Sequence, residues 1–241
     1  MFLPPATLLP PTKVARLLTP DHDDVLDSMQ EPAFDEMVSL SAHIFSLPIS
    51  LLALAGTDEI VYKARYGLPG LTHQERSEAI CALAIRDKQT IIFTDLTLPP
   101  QRYRLTAAAD AAAQANGLRF YAGVPLRRPD RCVIGTFCVI GREARIMSSQ
   151  ELQVLEYLGH LAERILVVRH SCLMCSWLGP KHWQLVQDYI TDELRRLTSC
   201  VRSLTEQAGP QLPTPPALLL VVIRRLNELN SILAEPLPGF V

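Results

Sequence analysis

The sequence predicts an α+β domain, an antiparallel sheet flanked by helices, followed by a C-terminal α-helical hairpin. Three observations carry this. First, strand-like segments come in two pairs, Ile49–Ala55 with Glu59–Tyr66 and residues 119–126 with 132–140. Each pair is joined by a short polar turn, as in antiparallel hairpins. Second, helix-periodic stretches stand before, between and after the pairs, not after every strand as a parallel sheet requires. Third, beyond Gly179-Pro180 the pattern becomes two apolar seams spaced three and four residues apart, the spacing of packed helices.

The elements follow in order. Pro4, Pro5, Pro10, Pro11 and Pro20 make the start an extended leader, because proline cannot continue a helix. Asp21-His22-Asp23-Asp24 offers N-cap oxygens to a short helix over residues 25–29. Pro32 suits the first turn of the next helix, which reaches about Phe45 with Phe34, Met37, Val38, Leu40, Ala42, Ile44 and Phe45 as its buried stripe. Ile49–Ala55 is a continuous apolar run and reads as a central strand. Glu59–Tyr66 alternates with period two and has one solvated face. Residues 77–86 form a helix with Ile80, Cys81, Ala84 and Ile85 inward, and residues 90–93 a short strand. Residues 97–118 are a long connection whose alanine-rich stretch 107–113 is helical. The second strand pair follows. Ser148-Ser149-Gln150-Glu151 then caps a long helix to about Trp177. These boundaries divide the chain into a leader (1–12), a sheet domain with its connecting helix (13–178) and a hairpin (179–241).

Composition excludes several classes. The chain has 241 residues, 48% hydrophobic and 20% charged, with 23 basic against 25 acidic residues and net charge −2. A nucleic-acid binder needs a basic excess, and a disordered chain needs fewer apolar residues and more net charge. No basic segment precedes an apolar stretch at the N-terminus, and the longest apolar run, 217–223, falls far short of the ~20 residues that span a bilayer. Six cysteines are too few for a disulfide scaffold, so a cytoplasmic protein with reduced thiols is expected.

The ordered blocks Asp24-Val25-Leu26-Asp27, Glu31-Pro32-Ala33-Phe34-Asp35, Tyr62-Lys63-Ala64-Arg65-Tyr66-Gly67-Leu68, Cys81-Ala82-Leu83-Ala84-Ile85, Arg119-Phe120-Tyr121-Ala122-Gly123-Val124-Pro125-Leu126 and Gly135-Thr136-Phe137-Cys138-Val139-Ile140 resemble the GAF domain, a small-molecule-sensing module of bacterial signalling proteins, over about residues 14–168. Leu83 stands where the family often has a histidine, and Ile140-Gly141 where the strand is usually followed by an aspartate. The resemblance implies a pocket. Its expected lining is Ile80, Cys81, Phe93, Phe120, Val124, Phe137 and Cys138, with Tyr103, Arg119 and Tyr121 as polar or aromatic neighbours.

The hairpin seams are Trp183, Val186, Ile190, Leu194, Leu197, Val201 and Leu204, and Leu219, Val222, Leu226, Leu229 and Leu233, joined by the proline-rich segment 209–216. They are expected to dimerise. Residues 191–198 are similar to the phosphoacceptor helix of histidine kinases, with Asp192 in place of the phosphoacceptor histidine, and residues 225–229 to its partner helix. With no segment resembling an ATP-binding domain, the expected role is non-catalytic.

Other chemistry is weighed residue by residue. Cys81 and Cys138 suit packing, with a ligand-reactive thiol as the alternative. Cys81, Cys132 and Cys138 are candidates for a thiol-based reductase of the GAF fold. Cys172-x-x-Cys175 with His170 and His182 is a metal-like or redox pattern, with a linker helix of small apolar residues as the favoured reading, and Asp21-His22-Asp23-Asp24 resembles a metal-binding cluster that helix capping and solvation explain. No G-x-G spacing supports a phosphate loop, and no cofactor is required. The functional expectation is a cytosolic homodimeric sensor, possessing a small-molecule ligand or a kinase or response-regulator partner. The rivals are an adaptor with an empty core and a thiol reductase.

Overall fold

The computed structural model describes residues 31–174, 179–208 and 215–234. The expected leader, the 25–29 helix, the Asp21–Asp24 cluster, most of the proline-rich connection and Cys175 lie outside the described residues.

Helix α1 (Pro32–Phe45) leads into β1 (Ile49–Ala55), β2 (Glu59–Tyr66) and a short β3 (His73–Glu75). Then come α2 (Cys81–Asp87), β4 (Ile91–Phe93), the single-turn α3 (Pro99–Arg102), α4 (Ala107–Ala115), β5 (Phe120–Arg127) and β6 (Val133–Gly141). Three long helices close the described chain: α5 (Ser149–Met174), α6 (Gly179–Ala208) and α7 (Pro216–Ile232). The strands form one six-stranded sheet in the order β3-β2-β1-β6-β5-β4, and neighbouring strands pair antiparallel. The expected α+β class is the observed one. β3 and α3 are elements the sequence pattern does not show, each too short to carry a period. The pattern also begins α2 at residue 77, four residues before the helix starts.

The central contact is β1 on β6, which joins strands about ninety residues apart, with Leu51 opposite Cys138. Ser50 reinforces it, its hydroxyl donating to the Cys138 carbonyl at 3.2 Å and lying 2.6 Å from the Ser41 hydroxyl of α1. Gly135 is required here, since a Cβ would collide with the Ala53 carbonyl of the neighbouring strand.

One face of the sheet is covered by α1 and α5. Leu52, Leu54, Phe120, Val124 and Phe137 meet Phe34, Leu40, Leu158 and Leu161 there, all buried. Helix α5 comes close because Gly159 sits over Val124, where a Cβ would crowd the valine. Its N-terminus carries the expected capping box: the Glu151 amide donates to the Ser148 hydroxyl at 3.2 Å and the Ser148 amide to the Glu151 carboxylate at 2.8 Å. Arg145 bridges that carboxylate to the Phe45 carbonyl at the end of α1.

The C-terminal helices lie outside this layer, α6 on α1 and α7 on α5, and touch each other far less. Trp183, Ile190, Leu194, Leu197, Val201, Leu219, Val222, Leu226 and Leu229 are buried in the same hydrophobic cluster as the sheet's helix face, with Val186 and Leu233 partly buried against it. The apolar seam is therefore filled within one chain, while Leu204 stays exposed. Asp192 is exposed and paired with Arg195 at 2.9 Å.

Glu31 ties these layers together. It precedes α1, but its carboxylate does not cap that helix. It accepts from Arg169 Nε of α5 at 2.6 Å and from the Gln187 side chain of α6, and both Glu31 and Gln187 are buried.

On the opposite sheet face, Arg119 has a structural partner. Its guanidinium meets Asp95 at 2.5 Å, and Asp95 also accepts from the Thr97 amide and hydroxyl at 3.1 and 2.8 Å. The arrangement pins the turn after β4 to the start of β5. The Arg119 hydrogen bond, chiefly, holds the Asp95 carboxyl well below the usual carboxylate range.

Two outcomes follow. Glu31→Ala leaves the half-buried Arg169 and the buried Gln187 side chain without their shared carboxylate, and urea unfolding should show a loss of about 1–3 kcal/mol. Because the folded Asp95 is more acidic than the unfolded one, its contribution is present above the ordinary value of 3.8 and disappears as pH falls below it. The melting-temperature gap between wild type and Asp95→Asn should therefore be full at pH 6 and shrink on acidification below that value.

Candidate functional site

Period-two geometry sorts the predicted pocket residues. Successive strand residues face opposite sides, so Phe120 and Val124 of β5 and Phe137 of β6 point into the helix-covered core. They are not pocket residues. Tyr121 and Cys138 point the other way, where they join Ile80, Cys81 and Phe93. Tyr103 is also corrected: at the end of α3 its side chain is 83% exposed. Arg119, as shown above, braces a turn.

Helix α2 crosses this second face and separates two hollows. One flank, with Ile80 and Cys81, borders a half-open cavity of about 370 Å³ lined by Leu68–Leu71, Tyr62, Gln74, Glu78, Ala112, Ala113 and Asn116 over a floor of Leu51 and Ile140. The other flank, with Ala79, Ala82, Leu83, Ile85 and Arg86, borders a wider cleft of about 1150 Å³ between α2 and the start of β6. That cleft carries Arg76, Lys88 and Arg128 together with Asp58 and Glu75. Cys132 lines it and is exposed, so the three candidate reductase cysteines do not converge.

Tyr62 faces the smaller cavity with Ile60 on its side of the sheet, and an irregularity separates it from Ala64. β2 is bulged between Tyr62 and Ala64: Ala53 pairs with Tyr62 but Leu52 pairs with Ala64. The extra residue turns Ala64 to the helix side and leaves Tyr62 on the cavity side. There the Tyr62 hydroxyl donates to Gln74 Oε1 at 2.8 Å, and Gln74 Nε2 donates to the Glu78 carbonyl at 3.3 Å. Sequence reading assigned none of Tyr62, Gln74 and Asn116 to the site. The aromatic residue within an alternating strand was the available signal for Tyr62; Gln74 and Asn116 had none.

Behind Cys81 lies Cys138, the two sulfurs 3.4 Å apart and both side chains buried. The Cys138 thiol, donating toward Cys81, lowers the Cys81 pKa despite burial, aided by Tyr121 and Tyr62. Burial, chiefly, raises Cys138, and it raises both tyrosine hydroxyls. The buried Tyr121 hydroxyl has no hydrogen-bond partner of good geometry. It passes over Gly123, where any Cβ would occupy its place.

Of the metal-like pattern, His170 and Cys172 are buried in α5 and His182 is half-buried near the start of α6. Among the described residues no three His, Cys, Asp or Glu side chains are grouped to hold a metal ion. Among them, too, no helix is long and apolar enough to cross a membrane.

A cyclic di-GMP phosphodiesterase of Pseudomonas aeruginosa is 28% identical over 209 residues, covering 86% of this chain and 34% of the relative. The chain thus spans about a third of that protein's length. The GAF domain from an Acinetobacter phosphoenolpyruvate-protein phosphotransferase is similar at 16% identity and TM-score 0.48, over 66% of this chain and 94% of that one. The free methionine-R-sulfoxide reductase from Neisseria meningitidis is similar at 19% identity and TM-score 0.44, over 66% and 87%. The GAF domain family profile matches residues 25–167, more than half of the chain. With the antiparallel sheet, its flanking helices and this match in hand, the chain belongs to the GAF domain family, which points to a sensor or signalling role.

Proposed function

We propose that this chain is a non-catalytic, cytosolic sensory module that binds a compact, largely uncharged small molecule beside Tyr62 and Cys81. The observation that carries the reading is the cavity of about 370 Å³, within the size range of small-molecule sites. Its lining is mostly apolar, with Tyr62, Gln74 and Asn116 as hydrogen-bonding groups, Glu78 as its charge and no Lys or Arg. An anion would find no cation there.

The response passes through α2 and the sheet. A ligand that pushes α2 shifts its contacts with β6 and β5, on whose far face α5 lies, and α5 supports α6 and α7. Such a ligand changes the output only as far as it binds two packings differently. The output is a signalling activity elsewhere in the same protein or in a partner. Cyclic-di-GMP hydrolysis, the activity named for the Pseudomonas relative, is one candidate.

Homodimerisation belongs to the same reading. Since the inner seam is filled by α1 and α5, a second copy would use the outer face, where Leu185, Tyr189, Leu220, Val221 and Ile232 are exposed. Arg196 and Arg225 alternate there with Glu193 and Glu228, so a two-fold related copy meets opposite charges.

Native mass spectrometry of freshly purified protein tests both claims. The expected spectrum is a dimer carrying a small-molecule adduct that Ala113→Phe, which fills the cavity, removes while the protein still melts cooperatively. A bare polypeptide mass, with no melting shift from any compound in a library of neutral heterocycles, would overturn the ligand claim. A monomer at micromolar concentration would overturn the dimer.

A further inference from the structure

We propose that Cys81 and Cys138 form a thiol–disulfide site, oxidised by a hydroperoxide that reaches Cys81 through the cavity between the 68–71 loop and α4. Cys81 opens α2 and Cys138 lies in the middle of β6, fifty-seven residues apart in sequence, yet their sulfurs are separated by 3.4 Å. A disulfide needs about 2.0 Å, so both thiols must move toward each other. Cys132 and Cys200 are exposed, and Cys172 is buried on the opposite side of the sheet.

Access and surroundings support the assignment. Cys81 borders the cavity and Cys138 does not, so the outer sulfur is the one an entering oxidant meets. The Tyr121 hydroxyl, fully buried, lies beside the pair and, after Cys138, favours the thiolate on Cys81. The hydrogen bond from Cys138 favours the thiolate on Cys81, and burial keeps Cys138 as the thiol, which divides the roles of attacking and resolving sulfur.

The chemistry balances in two steps. Cys81 sulfur attacks the hydroperoxide, an S–O bond forms and the O–O bond breaks. The leaving oxygen departs as an alcohol, or as water when the oxidant is hydrogen peroxide, taking up a proton. Cys138 sulfur then attacks the resulting Cys81 sulfenic acid, the S–S bond forms, the S–O bond breaks and water leaves with the Cys138 proton. Two thiols lose two electrons and the hydroperoxide gains them. The product ties α2 to β6 and removes a thiol from the cavity wall, so the same partition that answers a ligand is locked by oxidation. The site uses the cavity of the ligand reading as its entrance, and needs no bound ligand.

The test uses the full chain, reduced and then exposed to hydrogen peroxide. Remaining thiols are alkylated under denaturing conditions before non-reducing peptide mapping. The expected product is the Cys81 peptide linked to the Cys138 peptide, two hydrogens lighter than the pair, and restored by dithiothreitol. In Cys138→Ala, Cys81 should stop as a sulfenic acid that dimedone traps. The proposal is overturned if Cys81 and Cys138 stay alkylatable under exposure that oxidises Cys132 and Cys200. It is equally overturned if Cys81 links to a different cysteine, or reaches the sulfinic acid in wild type with no link. Ligand adducts are measured on the reduced protein, so a missing disulfide leaves the ligand reading intact and a missing ligand leaves the disulfide.

Discussion

The buried carboxylate of Glu31 is the point on which the helical side of the molecule depends. A buried charge is tolerated only when it is paired and hydrogen-bonded, and Glu31 finds its partners on two different helices, Arg169 of α5 and Gln187 of α6. Satisfying one side chain therefore sets the relative position of α1, α5 and α6 together. A second node, Arg145 between the Phe45 carbonyl and Glu151, repeats the logic at the other end of α1. Between the two nodes the packing is apolar, and apolar contact alone is poorly directional. The polar nodes select which of many helix placements is adopted.

The sheet separates structure from function by face. Its helix side is filled by α1 and α5, with α6 and α7 added outside, in one continuous apolar cluster. Its other side is covered by the short α2, the single-turn α3 and α4, which leave hollows on both flanks of α2. A two-turn helix buries little area, so it is the element that can move at least cost. The groups with unusual proton affinities, Cys81, Cys138, Tyr62 and Tyr121, collect beneath it. The densely packed face supplies the rigidity against which a small shift of α2 becomes a displacement elsewhere.

Legibility varied with the range of the interaction that decided each feature. The capping box at Ser148 and Glu151, the proline opening α1 and the alanine-rich α4 are local, and each was read correctly. The residues expected to line a pocket divide between the two faces of the sheet. Ile80, Cys81, Phe93, Tyr121 and Cys138 share one side of the sheet, whereas Phe120, Val124 and Phe137 were assigned to it despite the alternation that places them opposite. Tyr103 looked like a pocket aromatic because nothing nearby in sequence shows that the turn of α3 carries it into solvent. The bulge that turns Ala64 to the helix side, away from Tyr62, arises from the pairing of β2 with β1 and leaves no mark on the alternation of Glu59–Tyr66.

Periodicity, caps and prolines by themselves determined the α+β class, the two strand pairs and the three long C-terminal helices, since backbone geometry imposes those patterns within a few residues. The apolar seams of α6 and α7 were equally plain as seams. What covers them was decided only in three dimensions: a stripe of leucines states that a face must be buried and says nothing of the partner. In this chain α1 and α5 offered a matching surface, and the buried contacts of Glu31 drew α6 onto it. The meeting of Cys81 with Cys138 is of the same kind. Fifty-seven residues separate them, and only the antiparallel docking of β6 between β1 and β5, with α2 laid across, brings the two sulfurs together.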